Sequence, residues 1–239
     1  MEIFSLIMLT FIASVVGTIT SFGIATVMVP TLAFFYPIGV TLLFTGVIHW
    51  FGNLWKMWFF RAGRQVRLAL LFGIPGIIAS FFGAQLLPFL SDVILSRVLG
   101  LFFLLYVIFV NRNKNWQIEA NKSTAITGGL LSGFVSGIFG VGGAIRAAFL
   151  SAFNLEKEVF VFTAGAIGIF VDSGRILKYK LDGIILTDNL VVALVLAVPA
   201  SYLGGYVGKR ISDKVPQESF RTVITIALFL MAIKYVIWP

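Results

Sequence analysis

Cysteine is absent from the 239 residues. That excludes a disulfide framework, a thiolate metal site and a cysteine nucleophile. Histidine occurs once, at His49, so no cluster with metal-ligand spacing can be built around it. Charge is scarce: 12% of the residues are Asp, Glu, Lys or Arg, against about 25% in a soluble domain. Neither G-x-x-x-x-G-K-[ST] nor G-x-S-x-G occurs, so the chain carries no P-loop and no hydrolase serine elbow. No enzyme activity, cofactor or metal is expected from these residues.

What is present is apolar. Hydrophobic residues make up 59% of the chain, and the mean hydropathy is +1.01. A water-soluble fold of this size could not hide so much apolar surface, so lipid is the expected solvent. The net charge of +8 does not point to nucleic acid, because Lys and Arg cluster at the ends of apolar runs, as membrane topology requires. The first residues lack a basic n-region, Glu2 being the only early charge, and read as a mature transmembrane segment rather than a signal peptide.

A spanning helix needs about 20 largely apolar residues. Ten hydrophobic segments can be drawn, at 3–21, 24–36, 40–60, 66–88, 93–111, 123–139, 143–154, 158–177, 184–208 and 217–237. Two of them, 24–36 and 143–154, are too short to span upright. Each follows a glycine-containing break, at Gly17–Gly23 and Gly137–Gly143. An offset of 120 residues lays Gly17 on Gly137, Gly23 on Gly143 and Gly63 on Gly183. Beyond a four-residue gap, an offset of 124 lays Pro75 on Pro199, Arg97 on Arg221, and Gly76, Ser80 and Ala84 on Ala200, Gly204 and Gly208. Small residues spaced by four share one helix face, where two backbones can approach closely.

The expected fold is therefore all-α: a polytopic membrane protein with two inverted five-segment repeats, each with a short half-helix after a glycine-containing break. It forms a single transmembrane domain over 1–239, with repeat 1 at about 3–111, a polar loop at 111–124 and repeat 2 at about 123–237. An odd number of segments per repeat inverts the second. Lys56, Arg61, Arg64 and Arg67, then Arg112, Lys114 and Lys122, then Lys209, Arg210 and Lys214 all fall on one side, which the positive-inside rule makes cytoplasmic. Arg175, Lys178 and Lys180 fall on the other side, against the rule.

Inverted repeats with interrupted segments are the pattern of secondary transporters, which bind substrate near the midplane at the broken helices. A half-helix N-terminus carries partial positive charge and free N–H groups, so two of them facing one another make an anion site. The candidate substrate-binding residues are Gly17, Thr20, Ser21, Gly23, Asn53, Ser136, Gly140, Gly142, Gly143, Arg146 and Ser173. Arg146 lies inside an apolar half-helix. It reads either as a cation that binds the anion through paired hydrogen bonds or as a side chain that snorkels to a nearby interface. His49, Asn53 and Lys56 share one face of the third segment, and the eighth carries Asp172, Ser173 and Arg175. Lys56 and Arg175 lie near segment ends, and snorkelling is the expected reading for both. His49 and Asp172 are the proton-coupling candidates, an imidazole titrating near neutral pH, with an interhelical hydrogen bond as the alternative. Gln85 is a further candidate buried polar residue.

The run from Gly17 to Pro30 and on to Asn53, with the basic loop Arg61–Arg67, resembles the first half of the TauE/SafE sulfite exporter family. The segment Gly133–Gly143, G-F-V-S-G-I-F-G-V-G-G, resembles that family's second and more specific glycine signature. The resemblance extends from about residue 8 to 235. It implies a secondary transporter of small sulfur-containing anions (sulfite, thiosulfate, sulfoacetate or other sulfonates), working by alternating access in the cytoplasmic membrane of a bacterium. A passive anion channel with the same site is the alternative. Thr18–Phe22 stand where the family often has more glycine, and Arg146 stands at a position that is usually apolar in the family.

Overall fold

The computed structural model describes residues 2–20, 23–112 and 119–212, together with the isolated positions 229, 233 and 237. The described residues form nine α-helices and no strand. In chain order these are α1 (Ile3–Thr20), α2 (Ala25–Leu32), α3 (Ile38–Phe59), α4 (Val66–Ala84), α5 (Asp92–Arg112), α6 (Lys122–Phe139), α7 (Gly143–Ser151), α8 (Lys157–Leu181) and α9 (Asp188–Ser212). The tenth segment expected over 217–237 lies outside the described residues, save for its three isolated positions. Among the described residues, four helical stretches are long and apolar enough to cross a membrane: Ile38–Phe59, Val66–Phe89, Lys157–Leu181 and Asp188–Ile211.

The side chains explain why these helices suit lipid. On α4, Leu70, Ile74, Ile78 and Phe82 recur every four residues and are 39% to 58% exposed. The opposite face, with Ala69, Gly73, Gly76, Ser80 and Gly83, is buried. An exposed apolar stripe of this kind would cost free energy in water, whereas in a bilayer it meets its own solvent. Helices then associate through close packing rather than hydrophobic burial, and small residues permit it.

Two such seams hold the molecule together. Along α4 and α6, a β-carbon at Gly129 would overlap the Phe72 carbonyl, one at Gly133 the Gly76 carbonyl, and one at Gly137 the Ser80 carbonyl. Along α1 and α9, a β-carbon at Gly204 would overlap the Phe11 carbonyl and one at Gly208 would lie 2.8 Å from the Val15 carbonyl. The four-spaced small residues are thus the contact faces. Each seam joins a helix of the first half of the chain to a helix of the second.

The remaining packing follows the same division. α1, α2, α3 and α9 pack on one another, as do α4, α6, α7 and α8. The two groups meet chiefly where α3 crosses α8. Exchanging α1–α4 with α6–α9, in order, converts α1–α9 into α4–α6, α3–α9 into α4–α8 and α1–α2 into α6–α7, and leaves α3–α8 unchanged. Val29 and Leu42 of the first group also share a core with Ile138, Val141 and Tyr179 of the second. Across the α4–α8 contact, Ser80 Oγ donates to the Val171 carbonyl at 2.8 Å.

Candidate functional site

The two short helices start at the chain breaks. Gly23 has φ +98° and Gly140 has φ +74°, a left-handed region that an L side chain enters only at a cost. Gly23 turns the chain so tightly that the Ile24 amide packs against Gly17 of α1, where a β-carbon would lie 2.6 Å from the nitrogen. At the second break Gly140 closes α6, its N–H donating to the Ser136 carbonyl at 2.8 Å. The Ser136 hydroxyl occupies the place that a β-carbon of Gly142 would take. α2 then has 8 residues and α7 has 9. Neither N-terminus receives a side-chain cap, whereas Asn121 caps α6 by accepting from the Thr124 N–H at 2.8 Å. In α2 the Thr26 and Val27 N–H groups already donate to the Gly23 and Ile24 carbonyls, whereas the uncapped first turn of α7 leaves N–H groups and the positive end of the helix dipole available to an anion.

Between the breaks, α3 and α8 bring polar side chains together. His49 Nδ1 lies 2.7 Å from Asp172 Oδ2. A carboxylate accepts only, so Nδ1 carries the proton and donates. The Asn53 amide therefore donates to the same carboxylate oxygen, at 3.2 Å. Arg175 closes the other side, with Nε 2.9 Å and Nη2 2.8 Å from Asp172 Oδ1. One turn further on, the Tyr179 hydroxyl donates to the Gly137 carbonyl in the second break. Asp172 thus ties an imidazole, an amide and a guanidinium into one network, and is itself 1% exposed.

Three further features give the site its character. A β-carbon at Gly23 would overlap Nε2 of His49, so the ring faces the first break, and Nε2 is buried without a hydrogen-bond partner. A β-carbon at Gly140 would lie 3.0 Å from Arg175 Nη1, so the guanidinium faces the second break. Arg146, on α7, is 2% exposed and its Nε has no partner. Lys56 is 4% exposed. Among the described residues the buried side chains thus include two guanidinium groups, Arg146 and Arg175, and one carboxylate, Asp172.

The expected site residues distribute as follows. His49, Asn53 and Asp172 are joined directly, Gly23 and Gly140 lie against members of their network, Ser136 of α6 packs on Gly142, and Gly142 and Gly143 start α7. Gly17 supports the first break from beneath. Ser173 faces a different way: its hydroxyl accepts from Trp50 Nε1 at 3.1 Å and donates to the Ile169 carbonyl at 2.8 Å. Ser21 lies outside the described residues, and Thr20 is placed by its backbone alone, as the last residue of α1.

Three expectations from the sequence are corrected. Arg175 does not snorkel: it is 0% exposed, six residues before the end of α8, and paired with Asp172. Lys56 is buried rather than part of the basic loop. Gln85 is not buried, because α4 ends at Ala84 and leaves it exposed. The pairings also bear on the cations that ran against the positive-inside rule. Arg175 has Asp172, and Lys178 is paired with Asp182. Tyr179 was missed altogether, although its spacing of four from Arg175 was visible.

The model of the family described as Sulfite exporter TauE/SafE matches residues 6–235. The chain belongs to the TauE/SafE family. It is 25% identical over 254 residues to the "Probable membrane transporter protein MJ0441" of Methanocaldococcus jannaschii, covering 95% of this chain and 93% of that protein. It is 27% identical over 177 residues to the "Probable membrane transporter protein YdhB" of Bacillus subtilis, covering 69% of this chain and 71% of that protein. No solved structure matches it significantly. Membership in TauE/SafE, with apolar spans, makes the chain an integral membrane protein and a membrane transporter.

Proposed function

We propose that this TauE/SafE protein is a secondary transporter of small sulfur-containing anions (sulfite, thiosulfate, sulfoacetate or other sulfonates) in the cytoplasmic membrane of a bacterium. The anion binds at mid-membrane, between the N-termini of α2 and α7. The observation that carries this reading is the charge imbalance there. Among the described residues, the buried guanidinium groups of Arg146 and Arg175 outnumber the one buried carboxylate, Asp172. Buried charge is costly unless paired, and an anionic substrate supplies the missing counter-charge. The glycine turn before α7 lets it approach backbone N–H groups that no side chain caps.

The packing supports an inverted repeat, since exchanging the two halves preserves the helix contacts. It also bears on how alternating access is achieved. One sequence half cannot rock against the other without parting both close-packed seams, α4–α6 and α1–α9. The moving bodies in this reading are therefore α1, α2, α3 and α9 on one side, and α4, α6, α7 and α8 on the other. They meet along α3–α8, so the His49–Asp172 and Asn53–Asp172 bonds span the sliding contact. His49 and Asp172 are also the proton-coupling pair: the carboxylate holds the imidazole through Nδ1, and the buried Nε2 lone pair is left to take a proton.

Uptake of radiolabelled sulfite, thiosulfate and sulfonates into proteoliposomes tests the assignment. Saturable flux of at least one of them is expected. No flux of any, with folded protein confirmed, would sink it. Single-channel currents in a planar bilayer, with no accumulation driven by a pH gradient, would replace it with a passive anion channel.

A further inference from the structure

Away from the glycine breaks, aromatic side chains of α3 and α9 form a continuous ladder on the outside of the molecule. Trp55 and Tyr202 meet edge to face with ring centroids 5.3 Å apart. Phe59 lies 5.3 Å from Tyr202, and Tyr206 lies 6.3 Å from Phe59. Tyr202 and Tyr206 are exposed. Gly205 provides the floor: a β-carbon there would lie 3.3 Å from Phe59, so the ring rests on the α9 backbone in the groove between the two helices. Trp55 Nε1 donates to Ser201 Oγ at 3.1 Å and ties the far end of the ladder to α9.

The near end of the ladder carries cations. Lys209 donates to the Phe59 carbonyl at 2.8 Å, and its Nζ lies 5.0 Å over the Phe60 ring. That contact brings the chain neighbours of the two residues, Arg210 and Arg61, to one end of the groove. Arg61 lies 5.4 Å over the Trp58 ring. Arg210 lies 4.7 Å over the Tyr206 ring and donates to its hydroxyl. Among the described residues, no carboxylate pairs with any of the three. A cation that only snorkels extends towards water. These two arginines are instead folded back onto exposed rings, at the level where the apolar spans end, Phe59 and Ile211. Aromatic rings at that level mark the lipid headgroups.

Charge and shape together name the occupant. The planar fork of a guanidinium matches a phosphate through paired hydrogen bonds, and two such forks stand at the head of an apolar groove. A small soluble anion would use the cations and leave the rings idle. A zwitterionic lipid would use the rings but bring its own ammonium to the cations. We propose that the groove between α3 and α9 holds one anionic phospholipid, with its phosphate on Arg61 and Arg210 and an acyl chain along Tyr206, Phe59, Tyr202 and Trp55. Lys209 joins the two helices beneath the headgroup. The site requires only a bilayer around the chain, so it stands or falls separately from the transported anion.

The test is native mass spectrometry of the purified protein, released from micelles that hold equal amounts of phosphatidylglycerol and phosphatidylcholine. One basic residue at an anionic lipid surface is worth about fivefold in affinity. One phosphatidylglycerol is therefore expected to be retained roughly 25-fold over phosphatidylcholine, through two arginines. The double variant Arg61→Gln, Arg210→Gln should lose that preference. Tyr206→Leu keeps both charges but removes the ring under Arg210, and should lose about fivefold. Lys122→Gln removes an exposed basic residue at the start of α6, away from the rings, and should change nothing. Equal retention of the two lipids would overturn the inference, and so would a preference that survives the double variant. A loss with Lys122→Gln as large as with the double variant would also overturn it, since the effect would then be diffuse charge. Displacement of the lipid by inorganic phosphate, which has no acyl chain to lay on the rings, would make this a soluble-anion site instead. A dimer that forms when the lipid is removed and is lost in Tyr206→Leu would put a second copy of the chain in the groove, and would equally refute the proposal.

Discussion

Replacing Asp172 by Ala removes the one negative charge in the cluster. Four contacts go with it: His49 Nδ1 at 2.7 Å, Asn53 Nδ2 at 3.2 Å, and Arg175 Nε and Nη2 at 2.9 and 2.8 Å. The lower bound gives each of the three partners only the worth of an ordinary interhelical hydrogen bond in a membrane, about 0.6 kcal/mol, or about 2 kcal/mol together, although Arg175 lies on α8 with Asp172. The upper bound treats the loss as breaking a buried ion pair, about 5 kcal/mol. For a chain of this size 1 kcal/mol shifts Tm by about 2–4 °C, so the drop is on the order of 4–20 °C. The internal control is Asp182→Ala, which breaks the partly exposed Lys178–Asp182 pair at the end of α8. That pair is worth about 0–1 kcal/mol, or less than about 4 °C. Thermal unfolding in detergent, followed by tryptophan fluorescence, reads both, since Trp50 and Trp55 lie on α3 beside the cluster. A drop for Asp172→Ala no larger than that for Asp182→Ala would refute the claim that the carboxylate organises the buried cations.

Three other outcomes are expected. Gly23→Ala forces a left-handed φ on a residue with a β-carbon, at roughly 1–2 kcal/mol, and drives that carbon into His49; transport should fall at least about tenfold in protein that still folds, as read by flux per mole reconstituted. In the cysteine-free background, a Gly46→Cys, Ile176→Cys pair joins the two proposed bodies where a Gly46 β-carbon would lie 3.2 Å from the Ile176 side chain. Its oxidation should arrest flux, and reduction should restore it. A Thr18→Cys, Gly205→Cys pair, within the α1–α9 seam at 3.7 Å by the same measure, should leave flux unchanged on oxidation. Gly133→Val overpacks the α4–α6 seam and should cost about 1–3 kcal/mol, whereas Ile78→Ala on the lipid-facing side of α4 should leave the unfolding temperature nearly unaltered.

The helices themselves were legible because hydropathy and glycine breaks are local signals. α2 and α7 are short because Gly23 and Gly140 turn the chain before them. The small-residue face on α4 and α9 was equally readable, since spacing by four is a property of one helix. The fate of the charged residues was not. Whether Arg175 reaches an interface depends on how far α8 continues beyond it and on what covers its face. α8 runs on to Leu181, and α3 crosses at that depth with His49 and Asn53. Gln85 failed in the opposite direction, because α4 stops one residue before it. The partner that matters for Arg175 is three residues away on the same helix, but the cluster they complete comes from α3, more than a hundred residues earlier. Tyr179 extends the same stripe, and the spacing 172, 175, 179 was the signal that could have found it.

The central claim is that the buried cations between the two glycine turns hold a translocated sulfur oxyanion. Flux of radiolabelled thiosulfate and sulfite into proteoliposomes tests it most directly, with the unaltered protein and an Arg146→Gln, Arg175→Gln variant measured side by side. Saturable flux in the first, and its loss in a folded variant, is the predicted result. Equal flux in both would contradict the account, because the anion would then cross without the charges that the fold buries to receive it.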